Sequence, residues 1–442
     1  MKYEQAEQFI LSLTNIPRKG YIAQKKDRGI HMKRLQYFLD IIGNPEKKIP
    51  HYIHVTGTSG KGSVCAYLHS IINESGKKVG STQSPHPTHM VERWKIGDKI
   101  MSKKEFVKIV KEIKPKLNDY IKKSPYEMIY YLDLMTAISL LYFAKQKVKW
   151  VILEVGCGGR YDATNIIPYK DAAIITNISI DHQNLIGSTK EKIAYEKAGI
   201  IKSGSEVFTS EKNNKILNII NAECKKRSCS MHHIKYDNKQ LTINDYGLNG
   251  SVFTYKNNKY KIKTPGRHQI SNAILAIEAT QKLNFSKNSI KKGLEKTKQP
   301  LRLETVSKKP MIILDGAHNQ AKIKSTVDTL KHLNKKMPKQ KNVHLIIGFA
   351  DNKEWGKMIK LLAELNPKTV VCTKNTINQL RKVANPKNIA LKCKKIMPKT
   401  KTKIFLDPQD ALNWSRKKVN KNDIILITGS ISLSGQLRPY LT

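Results

Sequence analysis

Short apolar runs of strand length alternate with stretches of helical length along most of the chain. In the first half, β-branched runs bounded by Gly, Asp or Ser predict buried parallel strands over residues 51–57, 78–83, 149–156 and 171–179. The segment 128–147 is apolar on almost every face, which is typical of a buried helix. This alternation predicts an α/β domain built on a parallel sheet.

A second alternating series begins near residue 311. Its predicted strands cover residues 311–317, 343–349, 369–374, 403–407 and 423–429. The stretch from about 205 to 262 is more polar, and we expect it to decorate the first domain. Because the polar segment 291–300 is the best candidate linker, we predict a first domain over residues 1–297 and a smaller, Rossmann-like α/β domain over residues 298–442, with a cleft between them.

Charge is the unusual feature of the composition. The 442 residues include 80 Lys and Arg against 35 Asp and Glu, a formal net charge of +45, but 69 of the basic residues are lysines spread through almost every segment. Nucleic-acid recognition tends to recruit arginine and stacking aromatic side chains in one place. We therefore interpret the lysines as a solvated surface and expect no nucleic-acid partner, with a functional basic face as the alternative.

Other whole-chain features exclude further classes of protein. There is no run of about 18 apolar residues and the N-terminus resembles no signal peptide, so we expect no membrane span and a cytoplasmic, monomeric protein. Six scattered cysteines do not make a disulfide framework in a chain of this length. Cys224, Cys229, His232 and His233 could bind zinc in principle, but their spacing matches no well-specified zinc module.

The strongest local signal is the glycine-rich turn VTGTSGKGS at residues 55–63, between a predicted strand and a predicted helix. Successive backbone N–H groups could enclose phosphate oxygens there, Lys61 could neutralise them, and the helix N-terminus would add its dipole. The strict G-x-x-x-x-G-K-[ST] string is not matched, because Val55 stands at the first glycine and Gly62 separates Lys61 from Ser63. We predict a variant phosphate-binding loop, and the alternative is a tight turn with an incidental lysine.

Five motifs then follow one another in a fixed order. They are the loop GTSGKGS (57–63), SPH (84–86), EVGCGGRYDATN (154–165), DHQNLIGSTKEKIAYEKAGIIK (181–202) and DGAHN (315–319). Together they resemble the folylpolyglutamate synthase and dihydrofolate synthase family of the Mur ligase superfamily. The resemblance implies a Mur-ligase-like α/β fold with a P-loop N-terminal domain. It also implies an ATP-dependent ligase that joins L-glutamate to dihydropteroate or to folate polyglutamates through an acyl phosphate. The alternatives are another Mur-type ligase acting on a cell-wall precursor and a nucleic-acid-binding NTPase.

A candidate metal site lies near this loop. Glu154 ends a predicted buried strand at its carboxyl end, where open α/β sheets place ligands, and a carboxylate there suits a hard ion. The resemblance implies one Mg²⁺ bound by Ser84 and Glu154 and a second bound by His182. It also implies a carbamylated lysine at Lys197, whose negative charge would help to hold the metal site. With Lys61, three of these residues (Glu154, His182 and Lys197) form the expected catalytic set.

The resemblance also assigns contacts to the nucleotide and the substrates. ATP contacts are expected from Thr58, Ser59, Gly60, Lys61, Asn272, Arg302 and Asp315, so that ATP would bridge the cleft. Substrate contacts are expected from Gly29, Ile30, Asp133, Tyr161, Asp162 and Ala163, while His318 would help to position glutamate. The chain departs from the family pattern at Leu301, which replaces a glycine before Arg302, at Tyr161, at Leu132 with Asp133, and around Gly29.

Overall fold

The computed structural model describes residues 1–15, 29–180, 183–247, 249–377 and 382–441. The chain divides into two compact units, Met1–Gln240 with Ser271–Thr297, and Leu241–Ile270 with Lys298–Thr442. One change of unit falls after Thr297, within the polar segment 291–300. The segment Leu241–Ile270, by contrast, belongs to the second unit, whereas its polar character and chain position predict a decoration of the first.

The first unit is built on an eight-stranded sheet. Its strands are β1 (His51–Thr56), β2 (Val79–Thr82), β3 (Trp94–Ile96), β4 (Lys99–Ile100), β5 (Trp150–Glu154), β6 (Ala172–Ile175), β7 (Glu206–Thr209) and β8 (Met231–His233). The strand order is β4-β3-β2-β5-β1-β6-β7-β8, with parallel pairing everywhere except at β3 and β4. The four strands expected in this half are β1, β2, β5 and β6, so the predicted parallel sheet is confirmed.

Within the described ranges, ten α-helices precede or follow the strands of this sheet, and the ninth of them begins in the second unit. They are α1 (Tyr3–Ser12), α2 (Ile30–Ile41), α3 (Lys61–Glu74), α4 (Lys103–Lys123), α5 (Tyr131–Lys145), α6 (Gln183–Ile186), α7 (Lys190–Ala198), α8 (Asn214–Lys226), α9 (Arg267–Lys282) and α10 (Lys287–Lys296). Helix α5 is the apolar segment that the sequence predicts to be a buried helix, and twelve of its residues are buried. Helix α4 starts at Ser102, whose hydroxyl accepts a hydrogen bond from the Glu105 N–H at 3.2 Å.

The central strands of this sheet determine where a site can form. Strands β1 and β5 have neighbours on both sides, and nearly every residue in them is buried. Burial on both faces explains why β5 is apolar up to Glu154, whereas the buried His54 and Thr56 of β1 hydrogen-bond to Thr164 and to the Gly158 carbonyl. Because the carboxyl ends of parallel strands meet at one edge of the sheet, the turns after β1, β2, β5 and β6 share that edge.

The second unit contains a six-stranded sheet. Its strands are β12 (Glu304–Lys308), β13 (Met311–Leu314), β14 (Val343–Ile347), β15 (Thr369–Cys372), β16 (Lys401–Ile404) and β17 (Ile424–Thr428), and its helices are α11 (Gln320–Lys335), α12 (Trp355–Ala363), α13 (Pro386–Ile396), α14 (Pro408–Lys418) and α15 (Ile431–Leu437). The order is β12-β13-β17-β14-β15-β16, and only β12 pairs antiparallel. All five strands expected here are present, although β16 begins two residues earlier than predicted.

A small antiparallel sheet completes the second unit. It consists of β9 (Leu241–Gly247), β10 (Gly250–Tyr255) and β11 (Asn258–Ile262). The Tyr246 ring stacks on the His332 ring of α11 with their centroids 3.9 Å apart, and Lys336 Nζ lies 2.9 Å from Asp245 Oδ1. These contacts with α11 tie the sheet to the second unit. None of the described helices combines the length and apolar character needed to cross a bilayer.

Candidate active site

The glycine-rich turn joins β1 to α3, as the sequence predicts. Gly57 and Gly60 have φ angles of +143° and +89°, which L-amino acids with a side chain rarely adopt. A Cβ atom at Gly57 would lie 1.8 Å from Thr176 Oγ1, and one at Gly60 would lie 2.4 Å from Asn272 Oδ1. The turn is therefore closely packed on both glycines, and Asn272 lies beside it as expected for a residue of the same site.

The turn is held from the strand end of β6. The backbone N–H groups of Thr58 and Ser59 donate to the carbonyl and side-chain oxygens of Asn177 at 2.8 and 2.9 Å. Thr176 Oγ1 donates to the Ser59 carbonyl at 2.6 Å. Since these two N–H groups are engaged within the protein, the first N–H groups of α3, which lack intrahelical acceptors, are the donors that can face a phosphate.

Two lysine side chains converge on the Gly57 carbonyl. Lys61 Nζ donates to this oxygen at 2.9 Å, and Lys197 Nζ donates to it at 3.0 Å. Lys197 lies on α7 and is only 4% exposed, so it is not one of the many surface lysines. The structure thus brings together a loop lysine and a second lysine that is 136 residues distant in sequence, on one backbone oxygen.

Helix α7 is fixed in place by the segment after β5. The Arg160 N–H donates to the Glu196 carbonyl at 2.7 Å, and the Arg160 guanidinium lies 4.0 Å from the centroid of the Tyr195 ring. Arg160 Nη2 also donates to Glu223 Oε2 at 2.8 Å. A Cβ atom at Gly199 would lie 2.2 Å from Arg160 Cβ, so a glycine is required for this close approach. The GGR part of the third motif therefore positions the helix that carries Lys197.

Glu154 and Ser84 adjoin at the same sheet edge. Glu154 is the last residue of β5, is paired in register with Val55 of β1, and is 8% exposed. Its Oε2 atom accepts a hydrogen bond from the Ser84 backbone N–H at 3.1 Å. The carboxylate and the serine are thus close together. His182 and the neighbouring Asp181 lie outside the described residues.

The Asp162 carboxylate organises the turn that follows β5. Its Oδ2 atom accepts hydrogen bonds from the Gly156 and Cys157 N–H groups at 3.1 and 3.0 Å. Its Oδ1 atom accepts from the Thr164 N–H at 3.0 Å and from the Thr164 hydroxyl at 2.5 Å. The side chain is 4% exposed. Asp162 therefore shapes its own loop with both oxygens, and the flanking Tyr161 and Ala163 are held by it.

The other expected substrate residues of the first unit lie around Tyr161. Gly29 has a φ angle of +106°, and a Cβ atom there would lie 3.8 Å from Tyr161 Cε1. His31 Nε2 hydrogen-bonds to the Tyr161 carbonyl, and the two rings lie edge to face at 6.4 Å. Ile30 is 41% exposed. Gly29 and Tyr161, which are far apart in sequence, are thus neighbours in the fold.

Asp133 is fully buried and forms an ion pair with Arg34. The Arg34 Nη2 and Nε atoms donate to Asp133 Oδ2 at 2.5 and 3.2 Å, and the guanidinium lies 3.9 Å above the Tyr130 ring. Burial raises the pKa of Asp133 above its ordinary value, although Arg34 and the nearby His31 oppose this shift. The sequence analysis missed Arg34, since an arginine on an amphipathic helix is usually exposed.

The second unit brings Arg302 and Asp315 close together. Asp315 is buried, and its oxygens accept hydrogen bonds from the Leu303 N–H at 3.0 Å, the Ala317 N–H at 3.1 Å and the Thr326 hydroxyl at 2.8 Å. Burial raises the pKa of the Asp315 carboxyl, whereas the Thr326 hydrogen bond and the charge of Arg302 lower it. Asp315 therefore fixes the backbone that follows Arg302 and the backbone of its own turn.

The departure at Leu301 leaves the backbone in a glycine-like conformation. Leu301 has a φ angle of +58°, and Leu303 has one of +48°. The Leu301 carbonyl accepts the Gly316 N–H at 2.8 Å, and its side chain is 1% exposed. The leucine thus occupies the left-handed region that favours glycine, and its packing in the core holds it there.

His318 is a half-buried, neutral residue of the DGAHN turn. Its Nδ1 atom donates to the Gly316 carbonyl at 2.8 Å, so that Nε2 accepts from Lys322 Nζ at 3.1 Å. Burial, followed by the charge of Lys322, lowers the pKa of His318 well below its ordinary value. His318 would therefore act on a glutamate carboxylate through its orientation of Lys322 and not through a charge of its own.

Comparison with known families identifies the class of protein to which this site belongs. The sequence model of the Mur ligase middle domain matches residues 55–280, and that of the Mur ligase glutamate ligase domain matches residues 301–431. The chain is 31% identical over 421 residues to the dihydrofolate synthase/folylpolyglutamate synthase of Bacillus subtilis. The alignment covers 92% of this chain and 94% of that protein. The chain belongs to the dihydrofolate synthase/folylpolyglutamate synthase family.

Solved structures of this family share the fold. A folylpolyglutamate synthase from Thermotoga maritima is 27% identical, has a TM-score of 0.80, and covers 99% of this chain and 97% of its own. A folylpolyglutamate synthase from Mycobacterium tuberculosis, complexed with ADP and AMPPCP, is 25% identical with a TM-score of 0.81 and covers 93% of this chain and 95% of its own. The expected Mur-ligase-like α/β fold is confirmed.

One cluster singled out in the sequence does not assemble into a site. The Cys229 thiol donates to the Lys202 carbonyl at 3.0 Å, and Cys224 is buried in α8. His232 lies 2.5 Å from Glu206, and His233 hydrogen-bonds to the Glu211 carbonyl at 2.7 Å. Among the residues that the structure describes, no three His, Cys, Asp or Glu side chains are grouped to hold a metal. These four side chains of the family member have separate structural partners.

Proposed function

We propose that this protein is an ATP-dependent amide ligase that joins L-glutamate to dihydropteroate, to folate polyglutamates, or to both. Its relatives bear the names dihydrofolate synthase/folylpolyglutamate synthase and folylpolyglutamate synthase, and one was solved with ADP and with AMPPCP. The observation that carries the proposal is the convergence of Lys61 and Lys197 on the Gly57 carbonyl at the N-terminus of α3. This arrangement places the Lys61 amine at the N-terminus of a helix, where the phosphates of a nucleotide would bind.

Amide formation from a carboxylate requires activation, because a carboxylate does not react with an amine at neutral pH. In the proposed reaction the γ-phosphoryl group of ATP passes to the acceptor carboxylate and forms an acyl phosphate. The α-amine of L-glutamate then attacks the acyl carbon, the C–O bond to phosphate breaks, and the amine loses a proton. The enzyme's contribution to such a transfer is alignment and stabilisation of charge, and Lys61 at the start of α3 can supply both.

The oxygen donors near the loop fit a magnesium ion. Glu154 contributes a buried carboxylate, and the Ser84 N–H bonded to it brings the serine alongside. Carboxylate and hydroxyl oxygens are the ligands that Mg²⁺ prefers. We infer that Ser84 and Glu154 would hold one ion, which when bound would offset the charge of the phosphates. A second ion at His182 remains part of the proposal from family resemblance.

Lys197 is proposed to carry a carbamate in the active enzyme. Lys61 Nζ and Lys197 Nζ lie 2.9 and 3.0 Å from the same oxygen, so two ammonium groups there would repel one another. Attack of the neutral Lys197 amine on CO₂ with loss of a proton would replace one of these cations by an anion. The test is ¹³C NMR in ¹³C-bicarbonate with Lys197→Met as the blank and Lys202→Met as the matched control. A carbamate resonance present in the control and absent in the blank is expected, and a wild-type spectrum identical to that of Lys197→Met would contradict it.

The ligase assignment is tested by ADP release. Dihydropteroate and tetrahydrofolate are each supplied with ATP and Mg²⁺, with and without L-glutamate, and the products are identified by mass spectrometry. We expect glutamate-dependent ADP release with at least one acceptor and a product heavier by one glutamyl residue. ADP release that DNA or RNA stimulates and folates do not would refute the proposal, as would turnover only with a cell-wall precursor.

Lys61→Met is the variant that connects this activity to the loop. It keeps much of the side-chain length and removes the charge, so we expect folding to be retained and ADP release to fall by about 100-fold or more. Lys77→Met, a surface lysine just after α3, is the matched control. Near-normal ADP release by folded Lys61→Met would remove the loop from the mechanism.

A further inference from the structure

A chain of buried polar groups leads from Lys170 to the Asp162 turn. Lys170 Nζ lies 2.8 Å from His54 Nδ1, and His54 Nε2 lies 2.8 Å from Thr164 Oγ1. The Thr164 hydroxyl in turn lies 2.5 Å from Asp162 Oδ1. Each of these contacts is of hydrogen-bond length, so His54 of β1 and three side chains of the segment 162–170 form one continuous path.

The direction of this path follows from the number of protons that each group can donate. Asp162 Oδ1 can only accept, so the single hydroxyl proton of Thr164 is used on Asp162. Thr164 must therefore accept from His54, and the proton of the neutral imidazole lies on Nε2. His54 Nδ1 then accepts from the Lys170 amine. The chain runs from Lys170 to His54, to Thr164 and to Asp162 with every group in a defined role.

Lys170 makes a second bond that extends the path to helix α7. Its Nζ atom donates to Asn165 Oδ1 at 3.0 Å, which determines the orientation of the Asn165 amide. The Nδ2 atom of Asn165 then donates to the Arg160 carbonyl at 3.2 Å and to the Gly199 carbonyl at 3.0 Å. Gly199 is the C-cap of α7, the helix that carries Lys197. The Lys170 amine thus orients both His54, which leads to Thr164 and Asp162, and Asn165, which contacts the Arg160 and Gly199 carbonyls.

Burial makes this network sensitive to the loss of any member. His54 is fully buried, Lys170 is 3% exposed, and Asn165 is 8% exposed. Burial, followed by the charge of Lys170, lowers the pKa of His54 well below its ordinary value, which agrees with a neutral imidazole. Burial also lowers the pKa of Lys170, and Lys202 adds to this effect. A buried acceptor that loses its donor is costly, so the remaining groups would rearrange.

We propose that Lys170, His54 and Thr164 are positioning residues for the proposed ligase site. Their hydrogen bonds hold Asp162 in the orientation that captures the Gly156 and Cys157 N–H groups, two and three residues after Glu154. They thereby fix both the backbone that follows the Glu154 carboxylate and the Tyr161–Ala163 segment, which is the expected contact for the acceptor. The effect on catalysis rests on the proposed function, whereas the effect on the turn does not.

Amide hydrogen exchange tests the coupling without reference to activity. Thr164→Val removes the hydroxyl and Thr164→Ser retains it, which makes a matched pair. Lys170→Met is paired with Lys202→Met. In the wild type, the Lys202 amine donates to the Ile167 carbonyl and is not part of the hydrogen-bonded path. In Thr164→Val and Lys170→Met we expect the Gly156 and Cys157 amides to exchange about tenfold faster or more. The Val155 amide, which donates to the Val55 carbonyl at 3.0 Å, should keep its rate.

Kinetics of the same four variants test the consequence for the site. We expect Thr164→Val and Lys170→Met to raise the KM for the pterin acceptor about tenfold, in the range of other losses of supporting hydrogen bonds. The KM for ATP should stay within about twofold of the wild-type value, since the hydrogen-bonded path does not include the glycine-rich turn. A purely structural defect would lower kcat through the folded fraction and leave both KM values unchanged. Thr164→Ser should restore the wild-type values.

The outcomes separate this inference from the ligase assignment. Equal amide exchange rates of Gly156 and Cys157 in Thr164→Val and Thr164→Ser would show that the hydrogen-bonded path does not hold the turn. A His54 ring found by ¹⁵N NMR to carry its proton on Nδ1 would also contradict the proposed path. If the amides exchange faster in the expected variants but the KM for the acceptor is unchanged, the hydrogen-bonded path supports the turn and has no role in substrate binding. If the wild type shows no glutamate-dependent ADP release, the ligase proposal fails and the exchange data alone decide about the chain.

Discussion

Substitution of Gly57 by alanine is the perturbation that this structure predicts most sharply. The added Cβ atom would lie 1.8 Å from Thr176 Oγ1, 3.0 Å from Thr176 Cβ and 3.1 Å from its backbone nitrogen. Rotation of the Thr176 side chain can relieve only the first contact, and it would break the hydrogen bond of 2.6 Å to the Ser59 carbonyl. The φ angle of +143° is also unfavourable for alanine. The variant therefore combines backbone strain with the loss of a hydrogen bond.

The expected magnitude follows from these two contributions. Strain at a backbone conformation reserved for glycine costs about 1–3 kcal/mol, and a buried carbonyl left without its donor costs about 1–3 kcal/mol. The free energy of unfolding of the first unit should therefore fall by about 2–6 kcal/mol, which for a domain of this size lowers Tm by roughly 5–20 °C. The Gly57 carbonyl accepts from both Lys61 and Lys197, so a shift of this residue should also reduce ADP release.

Gly76→Ala is the matched control for the stability measurement. Gly76 lies just after α3, the helix that Gly57 precedes, and it has a φ angle of +77°. A Cβ atom added at Gly76 would have no other atom within 4 Å. Its substitution should cost only the backbone strain, about 1–2 kcal/mol. Adding Thr176→Ala to Gly57→Ala removes the closest contact and should recover part of the loss. Thermal and urea unfolding of the wild type and the three variants measures the effect. Equal stability of Gly57→Ala and Gly76→Ala would refute the steric argument.

Three further predictions concern buried charges and backbone strain. Arg34→Met leaves the buried Asp133 carboxylate without its partner and should lower the free energy of unfolding by about 3–5 kcal/mol, and adding Asp133→Asn should restore much of it in urea unfolding. Burial lowers the pKa of His69 to about 4, so below pH 6.5 the unfolded state binds a proton that the folded state does not, and the free energy of unfolding decreases as the pH is lowered. In unfolding titrations, His69→Gln should reduce the loss of stability between pH 7 and pH 5 by about 2 kcal/mol. Leu301→Gly should be about 1 kcal/mol more stable than Leu301→Ala by thermal unfolding, because only glycine relieves the φ angle of +58°.

Each of these has a result that would contradict it. For Arg34, an unfolding free energy of the double variant no higher than that of Arg34→Met would show that the pair is not coupled. For His69, an unchanged dependence of stability on pH in the glutamine variant would mean that this ring does not stay neutral in the folded state. For Leu301, the ordinary order, in which alanine is more stable than glycine, would show that the left-handed backbone is not strained.

The sequence by itself determined the strands, the glycine-rich turn and the family. Short, largely apolar runs marked β1, β5 and β17, since strands buried on both faces need no polar alternation. The glycines of residues 57–63 marked a turn between a strand and a helix, because local backbone geometry is encoded locally. The five motifs, taken in order, indicated the ligase family that comparison with relatives then showed.

Tertiary structure alone decided which side chains meet. By composition Lys197 is one of 69 lysines, and the family resemblance assigned it to the site. Its hydrogen bond to the Gly57 carbonyl arises from the packing of Arg160 against Gly199, which positions α7. The strands of the segment Leu241–Ile262 could be recognised from a local pattern, but their contact with α11 in the second unit could not, because alternating exposure does not specify the partner surface.

The buried network from Lys170 to Asp162 illustrates the same limit. Lysine and histidine carry charge in water, so a sequence suggests an exposed Lys170 and a titrating His54. Their burial arises because the segment 162–170 packs on His54 of β1, where each of these polar groups meets a hydrogen-bonding partner. A hydrogen bond depends on distance and direction between atoms far apart in the chain, and the pattern of residue types along that chain contains neither.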